Sequence, residues 1–335
     1  MINVAIIGAS GYTGLELLKI LIPHPQFNIT YIATSQGGES LTNMHPSLKS
    51  IYKQKVEKAD ALEISKVADL AFLALPHKAS MGFAKELLAL DIKVVDLSAD
   101  YRLELDTYEK YYCPHEDKDN LVNSVYGLPE LYREDIKKTS LVANPGCYPT
   151  ASILGILPFA KYINEDFPIF IDAKSGVSGA GKKCNDNTHF VSINENIFAY
   201  APLSHRHEPE IVEKLKDKSG KIFDINFVPH LIPATRGEMI DAYALINEEI
   251  DPIEVLKEYY KDEPFIRIFD TPVDIKSCSG TNFCDIFAKR KGKKLYICSV
   301  VDNILRGASS QAVANANLMC GFEESLGLPT IAYAP

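Results

Sequence analysis

The sequence predicts an α/β protein in which a doubly wound parallel sheet comes first and an α+β domain with a mixed or antiparallel sheet follows. Short apolar runs alternate with helix-like segments over the first half of the chain, which is typical of parallel strands joined by crossover helices. A glycine-rich turn at Gly8–Gly14 follows the first apolar run. Beyond Cys147 the strand candidates are separated by short turns, which indicates hairpins.

The predicted strands and helices alternate along the first half of the chain. Val4–Ile7 is a predicted strand, and a helical pattern runs from about Thr13 to Leu21. Phe27–Ala33 is a second strand because it is rich in β-branched and aromatic residues. The next predicted elements are a strand at Leu70–Leu75, a helix at Met81–Leu90, and strands at Lys93–Leu97 and Leu141–Ala143.

The second half begins with a predicted strand at Ile169–Lys174 and ends with a helix at Ser309–Met319, which we expect to pack back on the first domain. Between them we predict strands at Ile222–Val228, Met239–Ile246, Phe283–Lys289 and Lys294–Val301. A length of 335 residues is typical of two domains. We expect residues 1–146, completed by the C-terminal helix of about 305–335, to form the first domain and residues 147–304 the second.

Composition argues against several classes of protein. The formal net charge is −9 and no basic tract compensates for it, so we do not expect nucleic-acid binding. No apolar stretch is long enough to span a bilayer, and the N-terminus lacks a signal peptide's basic region, so we expect no membrane association. The seven cysteines are scattered without CxxC pairs, which favours a cytoplasmic location and argues against a bound metal.

The glycine-rich turn predicts a nucleotide-binding Rossmann domain. It lies between a strand and a helix, where glycines allow a tight turn and close approach of a pyrophosphate to backbone N–H groups. Its spacing is GxxGxxG rather than GxGxxG, so a glycine-rich turn without ligand is the alternative. The residues that we expect to contact the cofactor are Gly8, Ser10, Gly11, Tyr12, Thr13 and Gly14.

The segment after the second strand favours NADP over NAD. An NAD site usually places an acid on the ribose 2′-OH at this point, but no carboxylate occurs between Ala33 and Glu39. Ser35 is therefore a candidate for the 2′-phosphate, although no arginine lies nearby in the sequence. Pro76 follows another parallel strand and is a further cofactor candidate, with a solvated loop as the alternative for its neighbours His77 and Lys78.

A turn at Asn144–Thr150 places Cys147 before a long apolar run. Pro149 fits the first turn of a helix, where its missing N–H costs nothing. Cys147 is then expected just outside the positive end of that helix, where unpaired N–H groups favour a thiolate. The alternative is a small buried cysteine next to a turn. Together with the nucleotide site, the turn indicates thiol-based covalent catalysis coupled to hydride transfer.

Seven segments together resemble the N-acetyl-gamma-glutamyl-phosphate reductase family over essentially the whole chain. In family order these segments are Gly8–Gly14, Asp96–Arg102, Tyr126–Glu130, Asn144–Pro149, Ser175–Gly181, His205–His207 and Asn303–Gln311. The resemblance implies an NADPH-dependent reductive dephosphorylation in arginine biosynthesis. In that reaction Cys147 attacks N-acetyl-gamma-glutamyl phosphate, phosphate leaves, and the thioester is reduced to N-acetylglutamate 5-semialdehyde. Ser310 stands where the family often carries glycine.

The wider superfamily includes aspartate-semialdehyde dehydrogenase, and the resemblance to it implies an oligomer interface in the second domain, in a homodimer or homotetramer. It also implies an acid–base histidine beside Cys147. His205 and His207 are two residues apart, so on an extended stretch they point to one side. The match to the family favours His207 over His205, and the choice stays open. The alternative is a pair of solvated loop histidines.

Cations and small residues complete the predicted site. Arg102 and Arg236 are candidates for binding the anionic substrate, because a guanidinium can hold a phosphate by two parallel hydrogen bonds, and the resemblance implies the substrate-phosphate role for Arg102. Lys182 and Lys183 stand where the family commonly has a cation, and Lys182 is a third candidate. For Arg102, a structural salt bridge to Asp96 or Asp100 is the alternative. The residues expected around the nicotinamide are Ser178, Gly179 and Asn303, with a surface loop and a plain strand-to-helix turn as the alternatives.

The sequence leaves the acyl group of the substrate open. The same chemistry on an N-acyl-aminoadipyl, N-succinyl-glutamyl or aspartyl phosphate is the nearest alternative. A non-enzymatic NADP-binding sensor would keep the fold without needing Cys147, and a thiol hydrolase would turn over substrate without nucleotide.

Overall fold

The computed structural model describes residues 1–333, which divide into two compact units. The first unit comprises Met1–Pro145 and Ala308–Leu328. The second comprises Gly146–Gly307 and the residues from Pro329 onward. Among residues 1–333, every helix is too short or too polar to cross a membrane.

A seven-stranded sheet forms the centre of the first unit. Its strands, numbered along the chain, are β1 (Ile2–Ile7), β2 (Phe27–Thr34), β3 (Glu57–Lys58), β4 (Leu70–Leu73), β5 (Lys93–Asp96), β6 (Val125–Tyr126) and β7 (Leu141–Ala143). The strand order is β3-β2-β1-β4-β5-β7-β6, and every strand pair is parallel. The order reverses between β1 and β4, and such a reversal creates the crevice at which nucleotides bind in doubly wound sheets. The predicted parallel sheet is confirmed.

Helices connect these parallel strands. The helices of this part of the chain are α1 (Tyr12–Leu21), α2 (Leu41–Met44), α3 (Ala61–Ser65), α4 (Ala79–Leu88), α5 (Leu105–Tyr111), α6 (Lys118–Leu121) and α7 (Pro129–Ile136). Val4–Ile7 of β1 are all fully buried, as expected of a central strand that is covered on both faces. Leu17, Leu18 and Leu21 of α1 are buried as well, which explains the apolar spacing of that helix.

The second unit contains a mixed sheet. Its elements are α8 (Cys147–Ile156), β8 (Ile169–Gly176), α9 (Phe190–Ile193), β9 (Phe198–Ala199), α10 (Glu208–Ser219), β10 (Ile225–Ile232), β11 (Glu238–Leu245), α11 (Pro252–Tyr259), β12 (Ile266–Ile268), α12 (Ile275–Cys278), β13 (Cys284–Lys291) and β14 (Lys294–Val301). The strand order is β12-β13-β14-β11-β8-β10-β9. β8 pairs with β10 and β12 with β13 in parallel, and the other pairs are antiparallel. The predicted mixed sheet is confirmed.

Helix α8 lies against one face of this sheet, where it contacts β11 and β14. Its residues Tyr148–Ile156 are all buried, which accounts for a run that is apolar all round rather than on one side. The opposite face carries Phe170 of β8 and Tyr243 of β11, which are cross-strand partners and are about half exposed. The chain then returns to the first unit, where the last helix, α13 (Ser309–Met319), packs against α1 and α7.

The structure moves some predicted boundaries. β10 begins at Ile225 instead of Ile222, whose side chain is exposed, and it continues to Ile232. The prediction ended this strand at Val228. In the structure buried and partly exposed residues continue to alternate through Pro229 and His230, so the strand does not end there. The strands that the sequence did not predict, β3, β6, β9 and β12, have only two or three residues each and are too short to show a period.

Candidate active site

The cysteine turn is built by backbone and side-chain hydrogen bonds within the second unit. Helix α8 begins at Cys147 itself, so the prediction that the cysteine lies just outside the helix was wrong by one position. Gly146 is the extended N-cap residue, and its N–H donates to Oε1 of Glu210 at 2.9 Å. The backbone N–H and hydroxyl of Thr150 both donate to the Gly146 carbonyl. Pro149 lies in the first turn as predicted, where no intrahelical partner is needed.

The two candidate histidines lie in a turn before α10, and the prediction of an extended stretch was wrong. Their rings nevertheless pack together, with centroids 4.8 Å apart. The backbone N–H of His207 donates to Nδ1 of His205 at 3.1 Å. Burial, assisted by the nearby Arg206 charge, lowers the pKa of His205 to about 4, so this ring is neutral near pH 7. His207 is the N-cap residue of α10.

Two tyrosines surround the histidine rings. Tyr148, the residue after Cys147, contacts both rings edge-on, with centroid distances of 5.7 Å to His205 and 5.8 Å to His207. Tyr200 follows β9 and donates its hydroxyl proton to the Tyr148 oxygen at 3.0 Å. Burial raises the pKa of both phenols, so both stay protonated at neutral pH. The pair fixes the position of the imidazole rings through ring contacts and one hydrogen bond.

A buried acid, Glu238, lies at the start of β11 on the face that packs against α8. Its carboxyl group contacts the Cys147 thiol and the Ser175 hydroxyl. Burial raises the pKa of Glu238 to about 8; these two contacts oppose the rise, and the Asp302 charge adds to it. Neither carboxyl oxygen makes a hydrogen bond of standard geometry to any residue in 1–333. Glu238 therefore holds its proton at pH 7, next to the candidate nucleophile.

The loop after β8 is tied to the segment after β14. Nδ2 of Asn303 donates to the Ser178 hydroxyl at 2.9 Å, and Oδ1 of Asn303 accepts from the Gly237 N–H at 2.8 Å. A Cβ on Gly179 would lie 2.9 Å from the Ser175 hydroxyl, so glycine is needed there for close packing. The Asn303 amide, predicted to face a nicotinamide, thus joins two loops of the second unit.

The candidate cations of the second unit lie in different surroundings. Arg236 forms an ion pair with Asp302, with Nε 2.8 Å from Oδ2, and its guanidinium also lies over the Tyr333 ring. Asp302 in turn accepts from the backbone N–H of Gly280 at 2.7 Å. Lys182 is exposed in the loop after β8. Arg236 is therefore held mainly by the protein, and Lys182 is accessible to solvent.

The predicted cofactor loop has the geometry that its glycines require. Gly8 has a φ of +91°, and a Cβ there would collide with the carbonyl oxygen of Ala74. A Cβ on Gly14 would lie 2.6 Å from the Gly8 carbonyl oxygen. Gly11 is the N-cap of α1, where a Cβ would make only ordinary contacts. The helix therefore begins at a turn whose N–H groups suit a pyrophosphate.

The other candidates in the first unit lie at the carboxyl ends of its strands. Ser35 follows β2 and Pro76 follows β4, and both are exposed. Arg102 is buried; its Nε donates to the Asn144 carbonyl at 2.7 Å and its Nη2 to the Leu97 carbonyl at 2.8 Å. The guanidinium is thus braced by backbone carbonyl groups within the first unit.

Asp96 and Asp100, the salt-bridge partners in the alternative interpretation of Arg102, accept hydrogen bonds from other groups. Asp96 accepts from the hydroxyls of Ser80 and Ser98, and burial raises its pKa to about 6. Asp100 accepts from the backbone N–H of Met81 and the hydroxyl of Tyr108.

Sequence reasoning missed three residues of this site: Glu238, Glu210 and Tyr200. Glu210 showed only as an acid in the first turn of a helix, a common position that favours the helix dipole. Glu238 gave one signal, a carboxylate at the start of a strand whose alternate residues Ile240 and Ala242 are apolar. Its neighbours Cys147 and Ser175 are far away in sequence, so their proximity could not be predicted.

Comparisons with known proteins identify the family of this chain. Residues 3–139 match the family model described as the semialdehyde dehydrogenase NAD binding domain, and residues 147–303 match the semialdehyde dehydrogenase dimerisation domain. The chain is 60% identical over 335 residues to N-acetyl-gamma-glutamyl-phosphate reductase of Sulfurovum sp. (strain NBC37-1), covering 100% of both chains. The chain belongs to the N-acetyl-gamma-glutamyl-phosphate reductase family.

More distant members of the N-acetyl-gamma-glutamyl-phosphate reductase family align over the full length too. The protein of that name from Wolinella succinogenes is 57% identical, with 100% of this chain and 99% of the relative covered. The one from Methanocaldococcus jannaschii is 44% identical with 100% of both covered. The resemblance drawn from the seven segments is therefore confirmed.

Solved structures agree with the fold. Aspartate semialdehyde dehydrogenase II from Vibrio cholerae, in complex with ASA, superposes with a TM-score of 0.74, covering 96% of this chain and 98% of that one. The aspartate semialdehyde dehydrogenase from Candida albicans with NADP gives a TM-score of 0.69, with 96% and 98% covered. At 17% and 14% identity, these matches establish a shared fold only.

Proposed function

We propose that the protein reduces N-acetyl-gamma-glutamyl phosphate to N-acetylglutamate 5-semialdehyde with release of phosphate, through a thioester on Cys147. The observation that carries the proposal is the placement of Cys147 at the first position of a buried helix, beside Glu238 and a Tyr148–His207 ring contact. Full-length relatives at 44–60% identity bear the name of that reductase, which supports the choice of substrate.

Cys147 has the surroundings of a nucleophile. The N-terminal N–H groups of α8 stabilise a thiolate, and the same groups can hold the oxyanion that forms when sulfur attacks the acyl carbon. A thiolate is also a competent leaving group, so the aldehyde can be released after reduction. The Gly146 N–H already donates to the Glu210 carboxylate. The Glu210 carboxylate therefore orients the cysteine turn and does not orient the substrate.

His207 is the better candidate for the acid–base group. Nδ1 of His205 accepts the His207 N–H, and the pKa of about 4 keeps His205 from holding a proton at pH 7. An acid–base group should titrate near the working pH, which His205 does not. His205 is then a packing residue that fixes the turn before α10, and His207 exchanges the proton of the substrate oxygen.

The first unit fits a nicotinamide dinucleotide. Gly8 and Gly14 shape a turn in which added Cβ atoms would collide with backbone, and this turn can hold the pyrophosphate. When bound, NADPH supplies the hydride that reduces the thioester. Ser35 is exposed beyond the end of β2, and the first carboxylate after it is the exposed Glu39. These features support NADP over NAD, because an acid there would repel the 2′-phosphate.

The cofactor preference can be measured with one matched pair of variants. Ser35→Asp adds a negative charge at the carboxyl end of β2, and Asn28→Asp adds the same charge at its other end. Ser35→Asp should lower the kcat/KM for NADPH by roughly tenfold or more without lowering that for NADH. Asn28→Asp should leave the ratio of kcat/KM for NADPH to kcat/KM for NADH unchanged. An unchanged ratio in both variants would remove Ser35 from the 2′-phosphate site.

The second unit supports self-association. The family model matched by residues 147–303 describes a dimerisation domain. Phe170 and Tyr243 are cross-strand neighbours on the sheet face opposite α8, and about half of each ring is exposed. A homodimer, or a tetramer built from it, would cover these rings. Sedimentation should give a particle of at least twice the chain mass. If this face is the interface, Tyr243→Lys should lower the measured mass of the particle.

The state of the thiols supports our proposal of a cytoplasmic location. The seven cysteines lie among the described residues and none of them forms a disulfide there; Cys278, Cys284 and Cys298 are buried. This arrangement supports a reducing compartment such as the cytoplasm.

The activity is tested with the purified protein, NADPH and N-acetyl-gamma-glutamyl phosphate, alongside aspartyl, N-acyl-aminoadipyl and N-succinyl-glutamyl phosphates. We expect the highest kcat/KM with the first substrate. Cys147→Ser should lose turnover, and the control Cys184→Ser, at an exposed cysteine of the same unit, should retain it. Turnover without NADPH would indicate a thiol hydrolase. If no acyl phosphate is reduced, the proposal is wrong and a sensor becomes the better account.

A further inference from the structure

Asp302 is a buried acid that the proposed reaction does not use. It follows β14 directly and is fully buried. Its Oδ1 accepts from Nη2 of Arg236 and from the backbone N–H groups of Ile304 and Leu305, each at 3.1 Å. Its Oδ2 accepts from the Gly280 N–H at 2.7 Å and lies 2.8 Å from Nε of Arg236. One carboxylate therefore holds a cation and two separate loops.

The Arg236 side chain is held in one direction by these contacts. Asp302 pairs with the edge of the guanidinium formed by Nε and Nη2, and the Tyr333 ring lies over the guanidinium at 5.5 Å. A Cβ on Gly176 would lie 2.8 Å from Cα of Arg236, so the end of β8 packs directly against the arginine backbone. The side chain is only 10% exposed. Arg236 therefore has a fixed geometry at the edge of the second sheet.

A guanidinium held in this way is suited to bind an anion. It has five N–H donors, and its end-on edge, formed by Nη1 and Nη2, can hold a carboxylate or a phosphate by two parallel hydrogen bonds. The pairing with Asp302 uses the other edge. It also compensates the charge of a nearly buried arginine, so that Arg236 can keep its place before the substrate arrives.

The same carboxylate orders the turn that packs against the candidate nucleophile. It binds the N–H groups of Ile304 and Leu305, and the Gly307 N–H returns to the Asp302 carbonyl at 2.9 Å. Gly307 in turn packs against Cys147. The anchor of the guanidinium and the contact surface of the cysteine thus belong to one short turn, because Asp302 takes part in both.

We propose that Asp302 is a positioning residue, which holds the Arg236 guanidinium so that Arg236 binds an oxyanion of the substrate while Cys147 attacks the acyl carbon. The inference rests on the proposed function. The oxyanion is the carboxylate or the phosphate of N-acetyl-gamma-glutamyl phosphate, since both present the same chemistry to a guanidinium. Asp302 is itself fully buried and acts through Arg236.

The test measures binding of two unreactive probes, inorganic phosphate and N-acetylglutamate, by their protection of Cys147 against iodoacetamide. Asp302→Asn keeps the size of the side chain but removes its charge and one acceptor atom. Because the guanidinium then loses its fixed direction, we expect the concentration of one probe that protects to rise roughly tenfold or more. Weaker N-acetylglutamate binding assigns the carboxylate to Arg236, and weaker phosphate binding assigns the phosphate.

A second substitution shows whether Asp302 acts through Arg236. Arg236→Gln should weaken binding of the same probe at least as much as Asp302→Asn. The double variant should bind no more weakly than Arg236→Gln alone, because a positioning residue has no effect once the residue that it positions is gone. Additive losses would overturn the proposal. Tighter binding in Asp302→Asn would also overturn it, since the Asp302 charge would then only repel the anion.

Another buried ion pair of the same unit provides the matched control. Asp285 is fully buried and accepts from Nε of Arg267 at 2.6 Å and from Nη2 at 2.7 Å, on the strand pair β12–β13. Asp285→Asn should lower the unfolding temperature as Asp302→Asn does, because each change leaves a cation without its partner. It should leave binding of both probes unchanged. Equal weakening in Asp285→Asn would mean that binding follows general stability and would overturn the role of Asp302.

Should Asp302→Asn fail to fold, Arg236→Lys decides. A lysine keeps the charge and can still pair with Asp302, but it cannot form the planar fork, so we expect weaker binding of the same probe. Unchanged binding in both Arg236→Lys and Arg236→Gln would leave Asp302 nothing to position. If neither probe protects the unaltered protein, the KM for N-acetyl-gamma-glutamyl phosphate in the same variants replaces the protection measurement.

The probes do not react, which separates this inference from the proposed function. If the unaltered protein reduces no acyl phosphate, the proposed function is wrong whatever the probes show. If it reduces the acyl phosphate and the Asp302 and Arg236 variants bind both probes normally, only the role of Asp302 is wrong.

Discussion

Gly307 lies directly against the candidate nucleophile: a Cβ built on Gly307 would be 2.6 Å from Cβ of Cys147 and 2.5 Å from the Asn303 carbonyl oxygen. No real Cβ contact is that short, so a side chain there must displace the cysteine or the backbone after β14. The glycine therefore sets the position of the thiol, although no part of it takes part in the chemistry.

Gly307→Ala should lower kcat by roughly tenfold or more and destabilise the protein by about 1–3 kcal/mol, because overpacking moves Cys147 away from its working position. Steady-state kinetics and thermal unfolding measure the two effects. Gly82→Ala is the control, since Gly82 lies within helix α4 with no atom within 4 Å of an added Cβ. That change should be neutral or slightly stabilising. Normal activity in Gly307→Ala would contradict the close contact.

Matched glutamine substitutions should separate the two histidines. His207→Gln should lower kcat by roughly a hundredfold or more, because it removes the acid–base group. His205→Gln should retain much more activity, since His205 serves by packing against Tyr148 and accepting the His207 N–H. Equal losses of kcat in the two variants, with both proteins folded, would contradict the assignment.

Stability below pH 6.5 should depend on His205. Its pKa is lowered from 6.5 to about 4 in the folded protein, so the unfolded chain binds more protons between these pH values. Stability is then lost as the pH falls from 6.5 toward 4. Denaturant unfolding of His205→Gln should show a weaker loss over this range than the unaltered protein. An identical pH dependence would mean that His205 is charged in the folded state.

Glu238 should make the protein less stable as the pH rises. Its pKa rises from 4.5 in the unfolded chain to about 8 in the fold, so the folded state binds the extra proton between these values. The free energy of unfolding should fall by about 1.4 kcal/mol per pH unit over part of that range. Glu238→Gln should remove this slope, giving a variant that is more stable than the parent at pH 8 and similar at pH 4.5. Parallel pH curves would show that Glu238 ionises normally.

The cofactor loop offers a test that separates folding from binding. An added Cβ on Gly11 meets only the Gly8 carbonyl at 3.8 Å and the Thr13 hydroxyl at 3.9 Å, so the fold does not require glycine there. Gly11→Ala should therefore leave thermal stability nearly unchanged and raise the KM for NADPH, because a methyl group would block close approach of the pyrophosphate. Gly14→Ala should lower thermal stability and also raise the KM for NADPH, because its added Cβ would lie 2.6 Å from the Gly8 carbonyl oxygen. An unaffected KM in Gly11→Ala would place the pyrophosphate elsewhere.

Long, regular elements were predictable, and short ones were not. Lys294–Val301 and Ser309–Met319 have the predicted bounds. Each is long enough, and its composition consistent enough, to indicate a strand in the first case and a helix in the second. β6 and β9 have two residues each and exist because neighbouring strands β7 and β10 offer hydrogen-bonding partners. Their formation depends on tertiary pairing, which leaves no local period in the sequence.

By itself the sequence determined the features whose cause is local. The order of strands and helices, the glycine turn and the cysteine turn each follow from a few consecutive residues, and together they identified the family. Only the tertiary structure decided the surroundings of the thiol. Glu238 and Gly307 reach Cys147, and Ser175 reaches Glu238, because strand register and helix packing bring distant segments together. Burial there changes the proton affinities of Glu238 and His205, and burial is a property of the whole fold.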